Sequence, residues 1–330
     1  MILVINAGSS SLKAAVFNRD LARLAALNLT EITSHTTAIT QTLDSLSAHL
    51  PQLTAIAHRV VHGGATLTAP TLLTETTLAQ IRACSPLAPL HNPANLAAIE
   101  ALSPLNLPQY ASFDTAFHAT IPALETTYAL PLSDRATGLR RYGFHGLSYA
   151  SLIRQLDPLP ERLLAFHLGN GASLCAILHG QSVATTMGYS PTDGLTMGSR
   201  TGSIDPMAVL ALARSHGIDE TAHILNHHSG LKALGGTNNM AALLARSDPD
   251  AKFAIDHFCH HAARHAGSAI TVLGGLDAVA FTGGIGENAP LIRDKIISYL
   301  SYLGPKPIHI IKADEERQIA RDALSLMSVP

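Results

Sequence analysis

An α/β fold of two related domains is predicted by three features of this sequence. At 330 residues the chain is too long for one small core. Apolar runs of strand length alternate along it with segments of helical periodicity. A pattern of strand, Gly-rich turn, strand, short turn and strand occurs twice, at "ILVINAGSSSLKAAVFNRDLARLAAL" from Ile2 and at "LLAFHLGNGASLCAILHGQSVATT" from Leu163. The copies lie about 160 residues apart, too far for a solenoid period and suited to one related unit in each of two domains.

Composition narrows the class. Hydrophobic residues make up 47% and charged residues 14%, which is ample material for buried sheets and helices. A formal charge of −2 without Lys/Arg clusters argues against nucleic acid or an anionic membrane surface as partner. Cys84, Cys175 and Cys259 are scattered and odd in number, so neither a disulfide framework nor a CxxC metal site is expected. With no basic leader and no apolar run of membrane-spanning length, a cytoplasmic protein is expected.

The first turn, "INAGSSSLK" (5–13), sets Ser9, Ser11 and Lys13 among backbone N–H groups, an arrangement that can cradle a phosphate. An ordinary hairpin turn has the same composition for conformational reasons. Ile39, Leu43, Leu46 and Leu50 then recur at helical spacing, and "TAIAHRVV" (54–61) reads as a buried strand. Arg59 inside that strand must pair with a carboxylate or face a cleft. "NPANLAAIEAL" (92–102) reads as a helix with Asn92 as cap and Pro93 at its first position. Asp114 ends the apolar strand before "TAFH", and its pairing with Arg59 as a purely structural ion pair is the plain alternative to a catalytic role. His145 lies in "RRYGFHGLSY", and Arg200 lies between Gly198 and Gly202 in "GLTMGSRTGSIDP". Cations, a carboxylate and histidines on separate Gly-flanked loops point to phosphoryl transfer, where positioning and charge neutralisation do most of the catalysis.

Near the end, "FTGGIGENAP" (281–290) follows the strand "AVAF" and precedes a helical stretch, Leu291 to Leu300, as an anion or nucleotide site would. Gly284 to Ala289 fits GxGxxA, but too little chain follows for a dinucleotide domain. No glycine is followed by lysine, so there is no Walker A loop. "PIHII" (307–311) is strand-like, and Asp314, Glu315 and Glu316 open a final helix, where acidic residues suit the helix dipole. His257, His261 and His265 fall at i, i+4, i+8, a spacing able to chelate zinc, with Cys259 and His260 nearby but no HExxH glutamate. His216, His223, His227 and His228 are expected on the surface or in loops.

"INAGSSSLK", "HRVVHGG", "LAPLHNPANL", "FDTAFH", "RYGFHG", "HLGNGASL", "GSRTGSIDP", "FTGGIGEN" and "ADEERQIARD" stand in the order found in the acetokinase family, the acetate, propionate and butyrate kinases, and the resemblance spans the chain. It implies two duplicated ribonuclease-H-like domains, the fold of sugar kinases, Hsp70 and actin, with ATP/ADP and Mg²⁺ (Mn²⁺ as a substitute) in an interdomain active-site cleft. The implied domains are 1–118 with 311–330, on the acyl-substrate and phosphate side, and 119–310, on the nucleotide side and dimerising. Acetate or a short-chain carboxylate, ATP and a second copy of the chain in a homodimer are the implied partners.

Residue by residue, the resemblance makes Asn6 and Glu315 the metal-site residues, and Ser9, Ser11 and Lys13 a phosphate-facing loop. His167, Leu168, Gly169, Asn170 and Gly171, and Gly284, Ile285, Gly286, Glu287 and Asn288, match its nucleotide loops, with Asn239, Met240 and Ala241 near the adenosine. Arg59 would bind the substrate carboxylate, and Val61, Leu90, His91, Phe144 and Pro191 would form the acyl side. Asp114 would be the essential carboxylate, and His145 and Arg200 would stabilise the transferring phosphoryl group. The chain departs from the family in three places. Asn239 and Ala241 replace a carboxylate and an arginine, Ser203 replaces an aspartate, and the segment between Phe17 and His58 is short. A non-catalytic nucleotide-gated module and an unrelated small-anion binder are the competing readings; the module has no need of a carboxylate-binding arginine beside an apolar cup, and a hydroxamate assay for acetyl phosphate separates all three.

Overall fold

The run Ile2–Ile5 is apolar without alternation because both faces of its strand are covered. In the computed structural model, which describes residues 1–8, 11–89 and 91–328, Leu3, Ile5 and Ala7 pack with Leu12, Ala14 and Val16 against Ala38, Ile39, Ala98 and Leu102. Ile2 and Val4 face the other way, with Ala15, Phe17, Ala55 and Ala57, against Ile319, Ala320 and Ala323. One sheet is thus sandwiched between helices 35–45 and 92–102 on one face and helix 315–327 on the other.

The chain forms two compact units, one of Met1–Ala119, Phe144–Ser151 and Asp314–Pro330, the other of Thr120–Gly143 and Leu152–Ala313. The first holds β1 (Ile2–Ala7), β2 (Ser11–Phe17), β3 (Arg23–Thr30), β4 (Ala55–Val60), β5 (Thr71–Leu72) and β6 (Gln109–Phe113), in the order β3-β2-β1-β4-β6-β5. The second holds β7 (Arg162–Leu168), β8 (Ala172–Leu178), β9 (Gln181–Thr185), β10 (Ala278–Thr282) and β11 (Ile308–Ile310), in the order β11-β10-β7-β8-β9. Each sheet begins with an antiparallel three-strand meander whose first strand then pairs in parallel with a later one, β1 with β4 and β7 with β10. A further parallel strand follows in each, β6 and β11. The repeat seen in the sequence is therefore a repeat of topology, and β5 is an edge addition to the first copy.

Two local expectations need correction. Asn92 is not a helix cap: the helix runs Asn92–Leu102 with His91 at the cap position. The Asn92 side chain is buried and accepts from His62 N–H while donating to His62 O, both at 3.0 Å. Satisfying a buried amide on both sides outweighs an N-cap bond. Helix after β10 does not wait for Leu291 either, since Gly283–Asn288 is itself helical and begins directly after β10. Gly283 has φ +80°, and a Cβ there would lie 2.7 Å from Leu168 O.

The first unit also buries three histidines. Burial holds His58, His62 and His118 down to about 4 from an ordinary 6.5. The unfolded chain binds protons there first, so stability is full above pH 6.5 and is lost as pH falls toward 4, by on the order of 3 kcal/mol per histidine at most. A melting temperature flat above neutrality and falling steeply on acidification is expected, with a shallower fall in His58→Gln. A melting temperature unchanged between pH 7 and pH 4 would show these histidines to be accessible to protons in the folded state.

Candidate functional site

The pleat and the register select one face of the first sheet. Asn6 continues the Ile2, Val4 series toward helix 315–327. Lys13 lies opposite Asn6 in the antiparallel pair of β1 and β2, and so shares its face. Arg59 continues the Ala55, Ala57 series of β4, and Asp114 directly follows β6. Because β1, β4 and β6 run parallel, Asn6, Arg59 and Asp114 gather at their carboxyl ends, where open α/β sheets bind ligands.

These side chains interlock. Arg59 Nε donates to Asp114 Oδ1 at 2.9 Å and Oδ2 at 3.2 Å, and Nη2 donates to Oδ2 at 2.6 Å. Arg59 Nη1 donates to Asn6 Oδ1 at 3.1 Å, while Asn6 Nδ2 donates to Glu315 Oε2 at 3.2 Å and Glu316 Oε1 at 3.0 Å. The amide is oriented by this chain, its oxygen toward the cation and its nitrogen toward the carboxylates. Asp314 caps the helix through Arg317 N–H and pairs with Arg23, which places Glu315 and Glu316 in the first turn. Asp114 is buried, and burial raises its carboxyl above the ordinary value while Arg59 pulls it down and Glu315 pushes it up. Burial also opposes the charge on Arg59, but the Asp114 carboxylate outweighs it and holds the guanidinium above its usual value. The ion pair posed as the plain alternative does form; a further contact, from Arg59 Nη1 to Asn6, ties it to the acidic helix start.

Around this group, Val61 and Phe144 are buried, and the Phe144 ring meets His62 edge-on at 5.5 Å. His145 has φ +60°, and Gly146 N–H donates to Asp114 O at 2.8 Å. A Cβ on Gly146 would lie 2.2 Å from that oxygen, so only glycine fits. Ser11 O accepts from Gly8 N–H at 2.8 Å, and Gly8 O bonds His35 Nε2 at 2.8 Å. His91 is half-buried at the start of its helix, whereas Ser9 and Leu90 lie outside the described residues. The sequence reading assigned no site role to Asn95, whose Oδ1 accepts from Val61 N–H at 3.1 Å and whose Nδ2 donates to Ala7 O at 2.8 Å. Together with Asn92 it fixes the strand ends that carry Asn6 and Arg59; two amides at i, i+3 in "NPANL" are the signal.

In the second unit the hairpin turn His167–Gly171 closes with Gly169 N–H donating to Gly171 O at 2.9 Å. Asn170 O accepts from Gly198 N–H at 2.9 Å, and its Oδ1 accepts from Asn238 Nδ2 at 3.3 Å. Gly198 has no room for a side chain, since a Cβ would lie 2.1 Å from Asn170 Oδ1. Arg200 Nη1 donates to Pro191 O at 3.3 Å. Ser203 Oγ donates to Asp193 Oδ1 at 2.9 Å, so a carboxylate does adjoin this loop although residue 203 has none. Gly284 O accepts from Asn288 Nδ2 at 2.9 Å, and Glu287 Oε1 accepts from the N–H groups of Gly283 at 3.1 Å and Ala313 at 2.9 Å. Gly286 is buried beside half-buried Ile285. Arg293 caps this short helix on the carbonyls of Gly286 and Glu287. Asn239 caps helix 240–244 by accepting from Ala242 N–H at 3.1 Å; Met240 is buried and Ala241 is exposed. The structure thus brings Leu168 to Gly283 and Asn170 to the loop of Arg200.

The rings of His257 and His261 stack at 4.1 Å, and His257 Nδ1 bonds Thr196 Oγ1 at 3.1 Å. Among the described residues no group of three or more His, Cys, Asp or Glu side chains is arranged to hold a metal ion. No helix among them is long and apolar enough to cross a membrane.

Comparison with known proteins gives the family and the fold. The acetokinase family profile matches residues 22–325. The acetate kinase of Rhodopseudomonas palustris is 41% identical over 346 aligned residues, covering 92% of this chain and 87% of that protein. A propionate kinase structure from Francisella tularensis superposes with a TM-score of 0.91 at 35% identity, covering 97% of this chain and 98% of that one. The acetate kinase structure from Entamoeba histolytica gives a TM-score of 0.90 at 28% identity and covers 98% of each chain. The family profile, these relatives and the duplicated topology agree: the chain belongs to the acetokinase family.

Proposed function

We propose that the chain transfers the γ-phosphoryl group of ATP reversibly to acetate, giving ADP and acetyl phosphate by direct in-line displacement. The observation that carries this reading is Arg59, a charged guanidinium that Asp114 and Asn6 hold at the strand ends, in a chain whose relatives include acetate kinases. A carboxylate is ionised at neutral pH, so no general base is required. An acetate oxygen attacks the γ-phosphorus, the bond to the bridging oxygen breaks, and ADP leaves with that electron pair. Arg59 orients the acetate carboxylate, with Asp114 and Asn6 fixing the guanidinium. His145 and Arg200 neutralise charge on the transferring group, and Lys13, with Ser9 and Ser11 as the family resemblance implies, is proposed to hold phosphate. Val61 and Phe144 enclose the methyl group, as Leu90, His91 and Pro191 are proposed to do.

Magnesium suits the Glu315 and Glu316 carboxylates, hard oxygen donors on which Asn6 Nδ2 converges; the Asn6 oxygen, bonded here to Arg59, would turn toward the ion to join them. When bound, the ion neutralises charge on the nucleotide phosphates. Asn6→Ala and Glu315→Ala are expected to raise the Mg²⁺ concentration for half-maximal rate; an unchanged requirement would place the metal elsewhere. The loops at 167–171, 239–241 and 284–288 are proposed to hold the nucleotide. With Asn239 spent on a helix cap and no side chain at Ala241 to stack on a base, a relaxed base preference is expected. A cytoplasmic homodimer is the state the family resemblance supports, and three free buried cysteines suit a reducing compartment.

The acceptor series tests the reading. Initial rates with acetate, propionate and butyrate should give acetate the highest kcat/KM and propionate a usable second place, since a methylene is worth about 1–3 kcal/mol in an apolar pocket. A preference for butyrate would overturn the assignment of Val61 and Phe144 as the acyl wall.

A further inference from the structure

A left-handed backbone at a non-glycine residue costs about 1–3 kcal/mol and persists only where its surroundings enforce it. At His145 the surroundings are identifiable. After it, Gly146 N–H is bonded to Asp114 O at 2.8 Å, and His145 O accepts from Tyr149 N–H at 3.1 Å. Before it, the Phe144 carbonyl bonds His118 Nε2 at 2.8 Å. His118 is buried, with its ring edge-on to Tyr149 at 5.8 Å and to Phe117 at 5.8 Å. Burial keeps the imidazole neutral at pH 7, and a carbonyl partner requires its one proton on Nε2.

We infer that His118 is a positioning residue for phosphoryl transfer, fixing the peptide between Phe144 and His145 and so the backbone from which the His145 side chain projects. The inference rests on the proposed role of His145 and extends it to a ring four residues beyond Asp114. Its hydrogen bond holds one side of a strained residue while the Asp114 backbone holds the other.

The test is a double-mutant cycle on the full-length enzyme. His118→Phe keeps the ring and removes the donor. Turnover should fall about 10- to 100-fold with KM for acetate and ATP changed less than about threefold, as for a misplaced group acting in the transition state. His118→Gln, which restores a donor near the Nε2 position, should recover most of the loss. In a His145→Ala background His118→Phe should add little, because the residue it positions is gone. Full turnover in His118→Phe, or a loss that multiplies with that of His145→Ala, would overturn the inference. Should His118→Phe fail to fold, His118→Asn, too short to reach the Phe144 carbonyl, replaces it in the same cycle with the same expectations. Near-normal turnover in His145→Ala alone would overturn the role of His145 itself, and the inference with it.

Discussion

Arg59→Ala is expected to lower kcat/KM for acetate by about 10³-fold or more, since a guanidinium that binds the acceptor and faces transition-state charge can contribute that much. It should also lower the melting temperature. Asp114 is buried and takes three hydrogen-bond contacts from Arg59, and stranding a buried carboxylate costs about 3–5 kcal/mol. The two effects separate in Arg59→Ala/Asp114→Asn, where a neutral amide replaces the stranded charge. That variant should regain much of the melting temperature and none of the activity. Rates near normal in Arg59→Ala would show that the acceptor binds elsewhere.

Arg200→Ala is expected to reduce kcat by about 10³-fold, with a smaller effect on the melting temperature than Arg59→Ala has. Arg200 Nη1 donates to the carbonyl of Pro191 at 3.3 Å in a half-buried loop. A hydrogen bond from a charged group is worth about 1.5–3 kcal/mol to folding, less than stranding a buried carboxylate costs. A large loss of stability with little loss of turnover would make Arg200 a structural residue.

Much of the fold was legible because its signals are local. The two strand–turn–strand runs read directly as β1 to β3 and β7 to β9, and their relatedness announced a duplicated architecture. The two-residue β5 was not visible, being too short to carry a period. Arg59 could be narrowed to a partner or a ligand from its place in an apolar strand. Choosing between them required the parallel register that brings β4 beside β6. The link from Arg59 through Asn6 to Glu315 and Glu316 spans most of the chain and depends on which face each strand presents. Asn92 was misread as a cap because caps are inferred from neighbours in sequence, whereas its partner is His62. His118 carried no signal of its own beyond its place in "FDTAFH", since a histidine ending a short motif gives no hint that its proton reaches a carbonyl at Phe144.

The central claim is transfer of phosphoryl from ATP to a carboxylate held by Arg59. Its most direct measurement is trapping of the product with hydroxylamine, which converts an acyl phosphate to the coloured hydroxamate. Purified enzyme with Mg²⁺, ATP and acetate should form acetohydroxamate in step with ADP, and Arg59→Ala should form almost none. ADP release without hydroxamate, or hydroxamate formed equally well by Arg59→Ala, would contradict the claim.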